Sequence, residues 1–255
     1  MDFDAVLTGF AALDEAQLAC PWPWRGRPLD VRYALYRALE EAQEAHVCAV
    51  AGQHPESRRI LALAQRAFGD LRGLLVGLPA DMLASAPGPE VWSVREVVAH
   101  ILLVEQRYAM HTLYAVERSD AEPVRLPDAR LPPLAPAADS GAVDAMLARL
   151  GAARAQTNRQ LGDVAATALT RPTIWAGYDV DVRFRLHRFG SHLAEHTIQC
   201  EKTLAALGWR PTEGRRIVRR ITAALGEVEG LGSVTEARDV EARLAERFAS
   251  LDGAV

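Results

Sequence analysis

The sequence predicts an all-α fold: a four-helix bundle with helical extensions before and after it. Three observations predict it. Ala and Leu dominate a chain that is 49% hydrophobic but only 6% aromatic, a mixture that favours helices over strands. Apolar residues recur at three-and-four spacing over four long stretches. Proline and glycine clusters cut those stretches apart, at "PWPWRGRPLD", "GQHPES", "SAPGPEVWS" and "LTRPTIWAGYD".

Taken in order, an N-terminal extension (residues 1–56) carries a helix from about Asp30 to Val50. Val31, Leu35, Leu39 and Ala42 form its apolar stripe, which needs a partner because a short isolated helix is marginal in water. The core, residues 57–212, opens with a helix over Glu56–Leu78. Its second helix begins at Ser93, a residue suited to cap a helix, and runs through "SVREVVAHILLVEQRYAMHTLYAVER". Val94, Val97, Val98, Ile101, Leu102, Glu105 and Tyr108 share its inner stripe. The segment Glu122–Ser140 holds five prolines in 19 residues; proline removes a backbone donor and clashes inside a helix, so an extended crossover is expected. A third helix follows over Gly141–Val164. The fourth runs from a cap at Asp181 to Leu207, where Gly208 and then Pro211 stop it. Four long helices and one long crossover make a bundle. The C-terminal extension, residues 213–255, reads as two more helices broken near "EGLGSVTE".

Composition excludes several function classes. The net charge is −4, from 29 basic and 33 acidic residues, and no basic tract exceeds "GRRIVRR"; a nucleic-acid interface would need a concentrated positive footprint. Cys20, Cys48 and Cys200 are an odd set without a CxxC pair, which gives no disulfide framework and fits a reducing compartment. No window holds the roughly 18 apolar residues of a membrane span. The start "MDFDAVLTGF" lacks the features of a signal peptide. A cytoplasmic location is expected.

One internal echo stands out. "WRGRPLDVRYALYR" from Trp24 and "WAGYDVDVRFRLHR" from Trp175 agree at seven of fourteen positions. A recurring helix start would explain it: a Trp-anchored turn, an Asp cap and a Val staple. A degenerate second copy of the last bundle helix would explain it too. At that offset His192 and His196 correspond to Glu41 and Ala45, so the extension should bind no metal.

The stretch "GSHLAEHTIQC" places His192 and His196 on one helix face, one turn and about 6 Å apart. Two imidazoles so spaced can converge on one divalent ion. His187 lies half a revolution from His196, and His111 about 16 Å along the axis from His100; His46 and His54 fall in the extension. His100 sits mid-helix on an apolar stripe. There it either bonds a carbonyl as a core histidine or shares an ion with another helix. Cys200 continues the histidine stripe, but it lies about 12 Å from His192 and reads as a small buried residue. Glu195 makes "HLAEH" an H-x-x-E-H string, a five-residue match to inverted zinc proteases; the further downstream carboxylate of that pattern has little chain left to supply it.

Two separated segments, "PGPEVWSVREVVAHILLVEQ" and "HLAEHTIQCEKTLAALGWRP", together resemble the DinB-like (YfiT-like) metalloenzyme superfamily. The first matches its W-S-x-x-E-x-x-x-H segment at Trp92, Ser93, Glu96 and His100. The second matches its H-x-x-x-H segment and following LG-x-x-P at His192, His196, Leu207, Gly208 and Pro211. The resemblance covers roughly residues 57–212. It implies a bundle whose His100, His192 and His196 bind a divalent metal, commonly zinc or nickel. It also implies either transfer of a low-molecular-weight thiol such as mycothiol or bacillithiol to a small-molecule electrophile, or hydrolase or isomerase chemistry.

A three-histidine site leaves a coordination position open for such work. Thiol S-transfer is the leading expectation; none of the three cysteines is obliged to react, so the sulfur would arrive with the cosubstrate. A metal hydrolase is the alternative, with Glu195 or Glu105 as proton acceptor, although Glu195 lies about 100° round the helix from His196. A non-enzymatic, metal-bearing stress or interaction protein, with extensions burying a homodimer face, completes the set.

Overall fold

A computed structural model describes residues 2–131 and 142–251. Its helices are α1 (Phe3–Ala12), α2 (Glu15–Leu18), α3 (Val31–Val50), α4 (Glu56–Leu75), α5 (Ala80–Ala84), α6 (Val94–Glu117), α7 (Val143–Leu161), α8 (Val182–Ala206), α9 (Glu213–Gly230) and α10 (Val234–Ala249). The all-α expectation holds. The four bundle helices are α4, α6, α7 and α8, each within a few residues of its predicted bounds. Sequence periodicity missed the short α1, α2 and α5. The proline-rich crossover is described only to residue 131, with one 3-10 turn at Asp128–Arg130. The rest of it, and Gly141 at the expected start of the third helix, lie outside the described residues. No described helix is long and apolar enough to cross a membrane.

Two small sheets were also unforeseen. Strands β1 (Pro21–Trp24) and β2 (Arg27–Asp30) form one antiparallel hairpin. Strands β3 (Pro172–Trp175) and β4 (Tyr178–Asp181) form the other. Both turn on two residues of positive φ, Arg25 and Gly26 (48° and 75°) and Ala176 and Gly177 (49° and 86°). That is the turn whose twist suits a tight hairpin. Each hairpin runs straight into a capped helix. Asp30 accepts from the Tyr33 amide at 2.9 Å, and Asp181 from the Phe184 amide at 2.7 Å. The echo is thus a hairpin leading into a helix start, with the expected Asp cap present in both copies.

The bundle core gathers Leu61, Leu71, Val98, Ile101, Met146, Leu150, Leu186 and Phe189 from α4, α6, α7 and α8. A second apolar cluster joins the two ends of the chain: Leu7 and Phe10 of α1, Leu35 of α3, Val218 of α9, and Val240 and Leu244 of α10. Helices α4 and α9 meet along glycines. A Cβ added at Gly69 would overlap the Thr222 carbonyl oxygen, and one at Gly226 would lie 2.5 Å from the Gln65 carbonyl oxygen.

Candidate metal centre

The site is built on two well-anchored helices. At the start of α6, Ser93 and Glu96 form a reciprocal capping box. The Ser93 hydroxyl accepts from the Glu96 amide at 3.3 Å, and the Glu96 carboxylate accepts from the Ser93 amide at 2.8 Å. The Ser93 hydroxyl also donates to the Glu96 carboxylate at 2.7 Å; that bond first, then the one from the Ser93 amide, holds the Glu96 carboxyl below the usual carboxylate range. His100 follows about two turns later. On α8 the Asp181 cap fixes the helix that carries His192 and His196.

The structure brings His100, His192 and His196 together: one ring nitrogen from each lies within 4.8 Å of the others. Among the described residues, no acidic group or cysteine joins them. Nε2 of His192 stands 3.3 Å from Nε2 of His100. Nitrogens each bound about 2.0–2.1 Å from one tetrahedral ion would stand about 3.4 Å apart, so this spacing fits a shared cation. Two imidazole lone pairs facing one another otherwise need a proton between them. His192 and His196 are buried and His100 half-buried. Burial first, then the neighbouring His196, His100 and Arg188, push His192 down to about 3. Burial first, then His196, also lowers His100. Neutral imidazole is the form that offers a lone pair to a metal.

Orientation comes from outside the triad. His196 Nδ1 lies 2.7 Å from the Gln199 side-chain oxygen. Donating there fixes the ring and leaves Nε2 free, the usual support for a metal-binding imidazole. Trp92 packs on the His100 ring with centroids 5.2 Å apart, and Tyr108 meets His192 at 5.5 Å. The Trp175 indole N–H, from β3, donates to the Tyr108 hydroxyl at 3.2 Å. Gln199, Tyr108 and Trp175 were not assigned to the site in the sequence reading, which placed Tyr108 on an apolar stripe and Trp175 in a turn. Spacing offered a signal for the first two: Gln199 is three residues after His196, and Tyr108 two turns beyond His100.

The remaining candidates lie elsewhere. Glu195 is exposed, 3.6 Å from Arg188. Glu105 is buried and accepts from Arg154 at 2.9 Å and Thr157 at 2.8 Å, so it is a core carboxylate committed to other partners. Cys200 is fully buried, its thiol pushed up to about 12 chiefly by that burial. His187 lines a cleft of about 980 Å³ between α4, α8 and α9 that includes none of the triad. His46 Nε2 lies 3.1 Å from the Glu227 carboxylate, and His54 Nε2 lies 2.8 Å from the Ala49 carbonyl oxygen. His111 is half-buried outside the triad.

A sequence model of the DinB superfamily matches residues 63–200, over half of the chain and all three histidines. The chain belongs to the DinB superfamily. No curated protein matches it at a significant level. In this DinB chain the three-nitrogen group could hold one metal ion, and three protein donors would leave part of the ion's coordination open. That is the pattern of a catalytic rather than a closed structural site.

Proposed function

We propose that the chain is a metal-dependent DinB enzyme in which His100, His192 and His196 hold one divalent transition ion, zinc or nickel. On this reading the open position would take a low-molecular-weight thiol. The thiol gives up its S–H proton and, keeping its own carbon–sulfur bond, forms a second one to a small electrophile whose leaving group departs or whose strained ring or double bond opens. The observation that carries the proposal is the triad itself, with three nitrogens within 4.8 Å and no fourth acidic or cysteine donor among the described residues. A divalent ion bound there would lower the pKa of a thiol in the open position and so supply it as thiolate.

The chain's own residues do the rest. Gln199 holds His196 in register, and the rings of Trp92 and Tyr108 wall the site. Cys200, buried and raised far above its usual range, supports a sulfur that arrives with the cosubstrate. Hydrolysis is the weaker reading, because Glu195 points to solvent and Glu105 is tied to Arg154, which leaves neither positioned as a base. The test pairs elemental analysis with thiol consumption. The wild type should carry about one transition metal per chain and consume thiol with an electrophile; His196→Ala should lose both together. Full conjugation by metal-free protein would overturn the proposal, and metal-dependent ester cleavage without thiol consumption would favour the hydrolase.

A further inference from the structure

The two ends of the chain, joined in one core, repeat the bundle they flank. Helix α9 aligns with α4: "EGRRIVRRITAALGEV" from Glu213 and "ESRRILALAQRAFGDL" from Glu56 share Glu, Arg, Arg, Ile, Ala and Gly in register. Helix α10 begins Ser233-Val234-Thr235-Glu236, as α6 begins Ser93-Val94-Arg95-Glu96. The β1–β2 hairpin and α3 match the β3–β4 hairpin and α8 through the Trp24/Trp175 echo.

Contacts repeat as well as letters. Arg183 on α8 donates from Nε to Glu56 at the start of α4, at 2.5 Å. At the matching places Arg32 on α3 donates from Nε to Glu213 at the start of α9, at 2.9 Å. The Val182 amide donates to the Arg171 carbonyl at 3.1 Å, and the Val31 amide to the Cys20 carbonyl at 3.0 Å. Trp175 meets Phe184 at 5.6 Å and 60°; Trp24 meets Tyr33 at 5.7 Å and 59°. Arg188 lies over the Trp175 ring, as Arg37 lies over Trp24.

The junction between the two halves is itself two-fold. A Cβ on Gly73 would lie 2.8 Å from the Cα of Arg219, and one on Gly230 2.6 Å from the Cα of Ala62. In the α4/α9 register Gly73 is the counterpart of Gly230, and Ala62 of Arg219. Each glycine therefore meets the counterpart of the residue that the other glycine meets. That reciprocity, in which residue i touches j while the mate of j touches the mate of i, is the signature of an isologous interface between two like subunits.

We propose that residues 3–50 and 213–251 form a second, circularly permuted copy of the metal-binding bundle, seated within the chain where a partner subunit would sit. Its first two helices are α9 and α10, from the C-terminal end. Its last part, α1, the β1–β2 hairpin and α3, comes from the N-terminal end. The copy has lost its site. The positions of His100, His192 and His196 fall on Val240, Glu41 and Ala45. Val240 is fully buried in apolar packing. Glu41 anchors an ion-pair cluster, 2.7 Å from Arg247, 3.6 Å from Arg37 and 3.7 Å from Arg243. With the partner position filled from within, the chain is a monomer, and the homodimer considered from the sequence is not needed.

Two measurements test this. Light scattering on the unaltered chain should give the mass of one chain, 27.8 kDa; twice that mass would overturn the proposal. The variant Val240→His/Glu41→His/Ala45→His should bind one transition metal per chain more than the unaltered protein. Reading the increment separates this result from the metal content of the native site. A folded triple variant with unchanged metal content would overturn the copy, and if the variant does not fold, the mass decides.

Discussion

At the scale of single residues, the most exposed commitment of this fold is Arg154, whose side chain is wholly buried. It donates to Glu105 at 2.9 Å, to the Leu61 carbonyl at 3.3 Å and to Asn158 at 2.9 Å. Arg154→Met strands the Glu105 carboxylate in the core, and breaking a buried pair from one side costs about 3–5 kcal/mol. Urea unfolding should show a loss of that size, with part of it recovered on adding Glu105→Gln. His111 makes a second, pH-dependent prediction. Burial first, then Arg185, Arg107 and Arg125 against Asp128, push it down to about 4 from an ordinary 6.5. The unfolded chain therefore binds a proton there that the folded chain refuses. The corresponding stability is complete above about 6.5 and is lost as pH falls towards 4. In chelated protein, His111→Asn should lose less of its urea midpoint between pH 7 and 5 than the wild type. The triad was legible in part: i, i+4 spacing marked His192 and His196, whereas the apolar stripe left His100 open between a core histidine and a ligand, and the resemblance to the DinB-like superfamily supplied it as the third. Glu105 was not, because the cation that claims it is 49 residues away on another helix.

At the scale of elements, the contact of α4 with α9 sets a sharp expectation. Gly→Ala inside an exposed helix gains about 1 kcal/mol of propensity. At Gly69 and Gly226 the new methyl meets a carbonyl oxygen of the facing backbone, which moves only if the helix does. Overpacking of this kind costs typically 1–3 kcal/mol. Gly69→Ala and Gly226→Ala should each lower the urea midpoint, and by similar amounts, because each presses on the other's partner strip. A midpoint raised by either change would show that the helices part more easily than their spacing suggests. The long helices were legible from period and caps: Ser93 and Asp181 both cap as expected. The hairpins were hidden. Four-residue strands carry almost no alternation, and Arg25-Gly26 and Ala176-Gly177 lack the Asn or Asp that marks such turns most clearly.

At the scale of the molecule, an ion shared by α6 and α8 would tie together helices 92 residues apart in sequence. Metal removal should therefore lower the melting temperature while leaving helical circular dichroism intact, since the apolar core continues well beyond the triad. Collapse of the helical signal on chelation would mark the ion as structural. The bundle itself was legible because its helices follow one another along the chain. The second apolar cluster was not legible as a unit, because its halves stand at opposite ends of the sequence and only the Trp24/Trp175 echo hinted at kinship. This arrangement also has a price in time. Arg32 finds Glu213 across 181 residues, and Glu41 finds Arg247 across 206. At about 5–20 residues per second, a ribosome needs on the order of ten to forty seconds to make α9 after α3 has emerged. For that interval Val31, Leu35 and Ala42 lack the α9 and α10 residues that cover them in the fold, so newly made α3 is a stretch that a holding chaperone would bind.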